Sequence, residues 1–244
     1  MFTVAERERV SEHVLAMAER DERVVAAAVV GSLALGGGDQ WSDVDLTFAV
    51  ADDVDLDDVL ADWTQEISRE LDGAHLFDLA AGGAIYRVFM MRECLQLDVS
   101  FTPASQFRPG SPRFRLIFGS AGEEKTPAPP AVMELVGWSV LWARHARVCL
   151  ERGDLWQAVF CVNELRDNAM SLACIRHDLP ARFGKGFDDL PQEVRAPFAE
   201  CLPRSLEPEE IRRALATAVY AFADDPALRD RPDLVDRIHD AIAD

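Results

Sequence analysis

The chain has 244 residues, of which 49% are hydrophobic, and a formal net charge of -18 at pH 7. This length suffices for one large domain or two small ones, and the hydrophobic share excludes a disordered chain. The negative charge argues against a nucleic-acid partner, because phosphate backbones bind basic surfaces. It is compatible with a cationic small molecule.

The sequence also bears on location. No uninterrupted apolar run approaches the roughly 20 residues of a membrane span, and the charged N-terminal stretch lacks the apolar segment of a signal peptide. We therefore expect no membrane partner and a cytoplasmic location. The cysteines are odd in number and lack C-x-x-C spacing. We therefore expect them to be buried as small hydrophobic side chains, in a reducing compartment. They are Cys94, Cys149, Cys161, Cys174 and Cys201.

Three elements are predicted in the first fifty residues. Residues 3–20 carry apolar side chains at helical spacing, and the continuous apolar run Val24–Val30 is typical of a buried strand. Gly31 and Ser32 end this run, and a glycine-rich loop follows. Asp43–Val50 alternates polar and apolar side chains, which predicts a strand with one buried face.

The next stretch predicts a helix, further strands and a connector. The helix is expected over residues 54–71, with Asp52 and Asp53 as its N-terminal cap. Strands are expected over residues 74–80, 85–91, 95–101 and 114–118, the second and third forming a hairpin. Six prolines and three glycines between residues 103 and 130 indicate a connector.

Only helical patterns follow the connector. Helices are predicted over residues 131–151, 154–178, 191–201, 207–223 and 228–243. Trp138, Trp142 and Trp156 fall on these helices, and we expect them in the core. The predicted fold class is α+β: an N-terminal domain with a mixed β-sheet flanked by helices (residues 1–127), then a C-terminal helical bundle (128–244).

Three aspartates lie on the polar faces of predicted strands. Asp43 and Asp45 are two residues apart, so their side chains point to the same side. Two such carboxylates repel each other unless a cation lies between them, and oxygen ligands suit Mg²⁺ above all. Asp98, on the polar face of another strand, is the third candidate. Three carboxylates on adjacent strands can hold two Mg²⁺ ions and support in-line phosphoryl transfer.

Gly31 and Ser32 form a candidate phosphate site at the end of a buried strand. Glycine permits close approach of the backbone to phosphate, and backbone N–H groups and a hydroxyl can bind its oxygens. An Asp-x-Asp in a loop is usually a cap or a solvated charge, and a lone Gly-Ser is uninformative. Here the aspartates alternate with Val44 and Leu46, which makes the combination more specific.

The pattern Gly31-Ser32, a spacer, then Asp43-Val44-Asp45-Leu46 resembles the signature of the polymerase-beta-type nucleotidyltransferases. Asp98 falls where that family carries its third carboxylate. The stretch 38–43, with an aromatic residue just before Ser-Asp, is similar to that of the antibiotic nucleotidyltransferases of the lincosamide and aminoglycoside type. The likeness of motifs covers about residues 24–101, and a looser likeness continues through the helical part.

The resemblance implies an Mg²⁺-dependent enzyme that binds ATP or another nucleoside triphosphate. It would transfer the nucleoside monophosphate, AMP if ATP is used, to a hydroxyl of a small molecule and release pyrophosphate. A lincosamide or aminoglycoside antibiotic is a plausible acceptor, and antibiotic resistance the plausible role. The implied nucleotide-binding residues are Gly31, Ser32 and Ser42. The implied metal ligands and catalytic residues are Asp43, Asp45 and Asp98, with Asp98 as candidate general base.

Polar residues in the predicted helix 154–178 are candidates for an acceptor pocket. Asn163 shares a helix face with Asp167, and Glu164 shares one with Asn168. We assign Glu164 and Asn168 to the pocket, with Glu164 as the alternative general base; solvated or inter-helix contacts are the competing interpretation. Lys185 lies between two glycines, so it could reach the triphosphate or be a simple exposed lysine.

Two other functions stay open at this point. The enzyme could nucleotidylate a protein partner, or the chain could be a degenerate nucleotide-binding regulator. The presence of all three carboxylates argues against the regulator. Nucleotide and acceptor are expected in a cleft between the two domains, and a second subunit of a homodimer could complete it.

Overall fold

The computed structural model describes residues 1–125 and 128–243. The chain divides into two compact units, Met1–Pro127 and Ala128–Asp244. The described residues of the first unit form a six-stranded mixed sheet with two α-helices, and those of the second unit form helices. The predicted fold class, a mixed β-sheet flanked by helices followed by a helical bundle, is confirmed.

The first unit begins with helix α1 (Val4–Arg20), close to the predicted range. Thr3 caps its start: the Thr3 hydroxyl accepts a hydrogen bond from the Glu6 N–H, and the Glu6 carboxylate accepts one from the Thr3 N–H. This reciprocal capping box satisfies two backbone donors that the first helical turn leaves unpaired. The buried side chains of α1 share one face and are Arg7, Val10, Val14, Met17 and Ala18.

The strands are β1 (Val24–Val30), β2 (Val44–Val50), β3 (Ala74–Ala81), β4 (Ala84–Met90), β5 (Gln96–Pro103) and β6 (Phe114–Phe118). Their order in the sheet is β3-β4-β5-β2-β1-β6. Neighbours are antiparallel except for β2 and β5, which are parallel. The predicted hairpin of β4 and β5 is confirmed, and so is the short strand β6.

One face of the sheet carries the main core of the first unit. Helix α1 and helix α2 (Leu56–Leu71) pack on it, and the apolar residues of β2 and β5 point into this layer. Phe48, Phe101 and Trp63 form its aromatic centre, with ring centroids 4.8–5.4 Å apart. The polar residues that alternate with them therefore point to the opposite face of the sheet.

The predicted cap of α2 is wrong. Helix α2 begins at Leu56, and Asp55 caps it by accepting a hydrogen bond from the Asp57 N–H. Asp52 instead accepts hydrogen bonds from the N–H and the hydroxyl of Ser105. Asp52, Asp53 and Asp55 could each cap a helix by their residue type. Because Asp52 is engaged with Ser105, it does not cap α2.

The regular elements among the described residues of the second unit are all helices. Its α-helices are α3 (Val132–Arg152), α4 (Leu155–Arg176), α5 (Gln192–Ala199), α6 (Pro208–Ala223) and α7 (Pro232–His239). The last helix is shorter than predicted, because Pro226–Leu228 forms a separate 3₁₀ turn and Pro232 begins a new helix. None of the described helices combines the length and the apolar composition that a membrane crossing requires.

The expectation of buried tryptophans is wrong for two of the three. Trp138 is 44% exposed and Trp156 is 76% exposed, while Trp142 is half-buried and stacks on Trp138. Small residues, Ala143 and Ala158 among them, form the buried interface of α3 and α4, which leaves the large rings outside. Of the cysteines, four are buried as expected, but Cys94 is exposed in the turn between β4 and β5.

Candidate active site

Two of the predicted carboxylates lie side by side on the sheet. The register of the parallel strands β2 and β5 pairs Asp45 with Asp98. Paired residues point to the same face, and here it is the face opposite α1 and α2. The apolar neighbours Leu46 and Leu97 are fully buried and hold both strands in the core. The sheet therefore fixes the backbones that carry both carboxylates.

Asp43 completes the acidic set just before β2. Burial raises the pKa of the Asp43 carboxyl. Burial also raises the pKa of Asp98; the charge of Asp43 adds to this, whereas a hydrogen bond from Gln96 opposes it. The Gln96 amide lies 3.0 Å from both carboxylate oxygens of Asp98. Asp43 and Asp98 are thus electrostatically coupled, as two carboxylates are at a site suited to a cation.

Gly31 makes direct contact with this acidic set. Its φ angle is +70°, and a Cβ atom built on it would lie 2.3 Å from Oδ2 of Asp45. A side chain at this position would displace the Asp45 carboxylate, and the backbone conformation itself favours glycine. The Gly-Ser turn and the aspartate strand, which the sequence connects only through a pattern, therefore touch in the folded chain.

The loop between Gly31 and Asp43 is held by a residue that sequence analysis missed. Arg7 on α1 is only 7% exposed, and its Nη1 donates hydrogen bonds to the carbonyl oxygens of Asp39 and of Ser42, the latter at 3.3 Å. The Ser42 carbonyl belongs to the peptide bond that leads into Asp43. Arg7 occurs at helical spacing with the buried Val10 and Val14, which is the signal that could have revealed it.

Ser42 and Asp39 also fold the loop on itself. The Ser42 hydroxyl donates to Oδ1 of Asp39 at 3.2 Å and accepts from the Asp39 N–H at 3.0 Å. At the other end of the loop, Nε of Arg115 donates to the carbonyl of Ala34 at 3.1 Å. Ser32 is half-buried in the 3₁₀ turn Gly31–Leu33. The loop is therefore anchored near both of its ends.

The side chains of the acidic set offer oxygen ligands, which suit Mg²⁺. In residues 1–125 and 128–243, no three His, Cys, Asp or Glu side chains form a ready-made metal cluster. Mg²⁺ does not need one, because proteins commonly hold it through one or two carboxylates together with water and substrate phosphates. The carboxylates of Asp45 and Asp98, on residues that the strand register pairs, and that of Asp43, whose charge acts on Asp98, have the chemistry to hold an ion that arrives with a triphosphate.

The remaining candidates belong to the second unit. Glu164 and Asn168 are half-buried on α4. Arg166 donates hydrogen bonds to Asn163, at 2.8 Å, and to Asp167, so the other polar pair of this helix is already engaged. Lys185 is exposed in the loop between α4 and α5. Glu164 and Asn168 thus remain the polar pair of α4 that Arg166 does not contact.

Comparison with known proteins gave matches among solved structures but none among family models or curated proteins. No protein-family model matches the chain. No curated protein matches it either. Among solved structures, the chain is similar to an aminoglycoside 6-adenyltransferase from Bacillus subtilis, with 13% sequence identity and a TM-score of 0.36. That match covers 97% of this chain and 91% of the other. At this identity and TM-score, nothing about the activity of this chain follows.

Proposed function

We propose that this chain is a nucleotidyltransferase that moves a nucleoside monophosphate, AMP from ATP in the first instance, to a hydroxyl of a small molecule. The observation that carries the proposal is the pairing of Asp45 with Asp98 on adjacent strands, with Gly31 against Asp45. A glycine turn next to paired carboxylates joins a place for phosphate to a place for a hard cation.

Different residues of the site are proposed to bind the phosphates and the metal ion. The backbone N–H of Gly31 and the Ser32 hydroxyl would hold the leaving phosphates, and Ser42, at the other end of the loop, is a further proposed contact. Asp43, Asp45 and Asp98 would hold Mg²⁺, which when bound neutralises phosphate charge and stabilises the leaving oxygen. Lys185 is the proposed additional contact to the triphosphate, as a point charge.

The proposed chemical step is an in-line displacement at the α-phosphorus of the nucleotide. The acceptor hydroxyl oxygen forms a bond to the α-phosphorus, and the bond from that phosphorus to the bridging oxygen of the β-phosphate breaks. Pyrophosphate leaves with the electron pair, and the hydroxyl proton passes to a carboxylate. Asp98 is the proposed base because its pKa is raised by burial, which brings the carboxylate nearer the range useful for proton transfer. Glu164 is the alternative base.

The proposed acceptor is a small hydroxylated molecule, with lincosamide and aminoglycoside antibiotics as the first classes to test. The net charge of -18 argues against nucleic acid and is compatible with an acceptor that carries a positive charge. Glu164 and Asn168 are proposed to line the acceptor pocket. The chain is proposed to act in the cytoplasm, either alone or as a homodimer.

The test measures pyrophosphate release from Mg-ATP in the presence of a panel of small acceptors. Asp43→Asn should abolish turnover while circular dichroism stays unchanged and the chain is at least as stable, because burial disfavours the charge of Asp43 in the folded chain. Asp53→Asn, an exposed aspartate of the same unit, is the matched control and should retain activity. Unchanged release in Asp43→Asn would refute the site.

A labelled-ATP experiment separates the alternatives. Label that appears only on a protein band of a cell lysate would replace the small-molecule acceptor by a protein. If no acceptor and no protein receives label and no pyrophosphate forms, the interpretation as a degenerate nucleotide-binding regulator gains support.

A further inference from the structure

The sheet face that carries the carboxylates continues over β4 and β3 with apolar side chains. Asp98 pairs with Val88 of β4, and Val88 pairs with Phe77 of β3. One row further, Tyr86 of β4 pairs with Leu79 of β3. Because paired residues share a face, these four side chains lie on the same side of the sheet as Asp98. We name Phe77, Leu79, Tyr86 and Val88 the apolar shelf.

The apolar shelf is open to solvent. Phe77 is 56% exposed, Leu79 is 58% exposed and Tyr86 is 42% exposed. The charged side chains of β3 and β4 lie on the other face, where Arg87 pairs with Asp78. Neighbouring strands are about 4.8 Å apart, so the shelf extends about 10 Å from the strand that carries Asp98. A contiguous exposed apolar patch beside a polar site is typical of a binding surface.

The geometry of phosphoryl transfer, with the leaving group at Gly31, would place the acceptor on the side of the apolar shelf. In an in-line displacement the attacking oxygen and the leaving oxygen lie on opposite sides of the phosphorus. The order of strands places Gly31 at the end of β1, then Asp45 on β2, Asp98 on β5, and then β4 and β3. If the pyrophosphate leaves at Gly31, the attacking hydroxyl comes from the Asp98 side, and the body of the acceptor lies over β4 and β3.

We propose that the apolar shelf binds the acceptor, and that the acceptor is a hydroxylated molecule with one continuous apolar face and few positive charges. This inference rests on the proposed function. The shelf offers no carboxylate to the amines of a polycationic acceptor, because the nearby Asp78 is on the other face and is paired with Arg87 and His75. The shelf therefore distinguishes between the two antibiotic classes named above and favours the lincosamide over the aminoglycoside.

The test compares Phe77→Ser and Leu79→Ser with Leu116→Ser. Leu116 is 41% exposed on the opposite edge strand β6, so the control removes a similar apolar side chain far from the shelf in the strand order. Calorimetry measures binding of a lincosamide and of an aminoglycoside to the full chain with Mg²⁺ and a non-hydrolysable ATP analogue. Pyrophosphate release with Mg-ATP and the binding of the ATP analogue alone are measured in parallel.

We expect the lincosamide to bind, and each shelf variant to weaken its binding by about tenfold or more, as the loss of an apolar contact does. Affinity for the ATP analogue and the elution volume on gel filtration should stay unchanged, and Leu116→Ser should behave as the unaltered chain. Shelf-dependent binding without pyrophosphate release would support the shelf and refute the enzyme. If pyrophosphate is released and the shelf variants do not change its rate, the enzyme is supported and the shelf is refuted as its acceptor site.

Three results overturn the shelf itself. The first is binding of neither probe, and the second is tighter binding of the aminoglycoside that the shelf variants do not affect. The third is a change of oligomeric state in the shelf variants, because the patch would then be an interface between two copies of the chain along the edge strand β3.

Discussion

Gly31 and Gly36 offer a matched pair of substitutions that tests the contact at the centre of the site. Both glycines have a φ angle of +70°. A Cβ atom at Gly31 would lie 2.3 Å from Oδ2 of Asp45, whereas a Cβ atom at Gly36 would have no heavy atom within 4 Å. Gly31→Ala therefore adds backbone strain and a clash with Asp45, and Gly36→Ala adds backbone strain alone.

The expected magnitudes follow from these two contributions. An alanine in the left-handed region costs about 1–2 kcal/mol, so both variants should lose about that much free energy of unfolding. At Gly31 the Asp45 carboxylate must also retreat by roughly 1 Å to reach ordinary contact distance. A displacement of about 1 Å at a reacting centre can lower turnover about 100-fold.

Urea unfolding and pyrophosphate release with Mg-ATP measure the two effects separately. We expect both variants to lose stability, Gly31→Ala by at least as much as Gly36→Ala, but kcat/KM to fall about 100-fold for Gly31→Ala and less than about threefold for Gly36→Ala. Equal activities in the two variants would refute the reasoning, because the contact between Gly31 and Asp45 would then have no part in the reaction.

Three further results are expected. Arg7→Met should lower both the free energy of unfolding, by about 1–3 kcal/mol, and kcat/KM, because the carbonyls of Asp39 and Ser42 lose their charged donor, while the exposed control Arg9→Met changes neither. In the folded chain at pH 8, a thiol reagent should label Cys94 first and the four buried thiols only on unfolding; rapid labelling of several thiols would contradict the burial. Hydrogen bonds from Arg213 lower the pKa of Glu210 to about 2, so this pair should stabilise the fold above pH 4.5 and lose that effect as the pH falls toward 2. Unfolding of Glu210→Gln should show a weaker pH dependence over this window.

The parts of the fold that could be predicted are those with strong local periodicity. The run Val24–Val30 and the alternation of Asp43–Val50 each specify a strand without reference to the rest of the chain. The same alternation placed Asp45 and Asp98 on polar faces. The pairing of Asp45 with Asp98 in the parallel register could not be predicted from local patterns, because it depends on which distant strands become neighbours.

The parts that escaped prediction depend on long-range contacts. Arg7 meets Asp39 and Ser42 across more than thirty residues, so no local window contains the interaction. The exposure of Trp156 depends on how closely α3 and α4 approach through their small residues, which a tryptophan on a helical pattern does not reveal. Helical spacing predicts which face of the helix a side chain lies on, but it does not predict which other element packs against that face.

The strand order also has a consequence for folding kinetics. Among the described strands, β6-β1-β2 and β5-β4-β3 are two antiparallel halves, and β2 and β5 form the parallel seam between them. Asp45 and Asp98 face each other across that seam and are 53 positions apart in the chain. Parallel pairing is slightly weaker per residue, and contacts of such sequence separation form late. By sequence separation the carboxylates therefore come together after the local pairs β1-β2, β3-β4 and β4-β5, and opening of the seam would separate them.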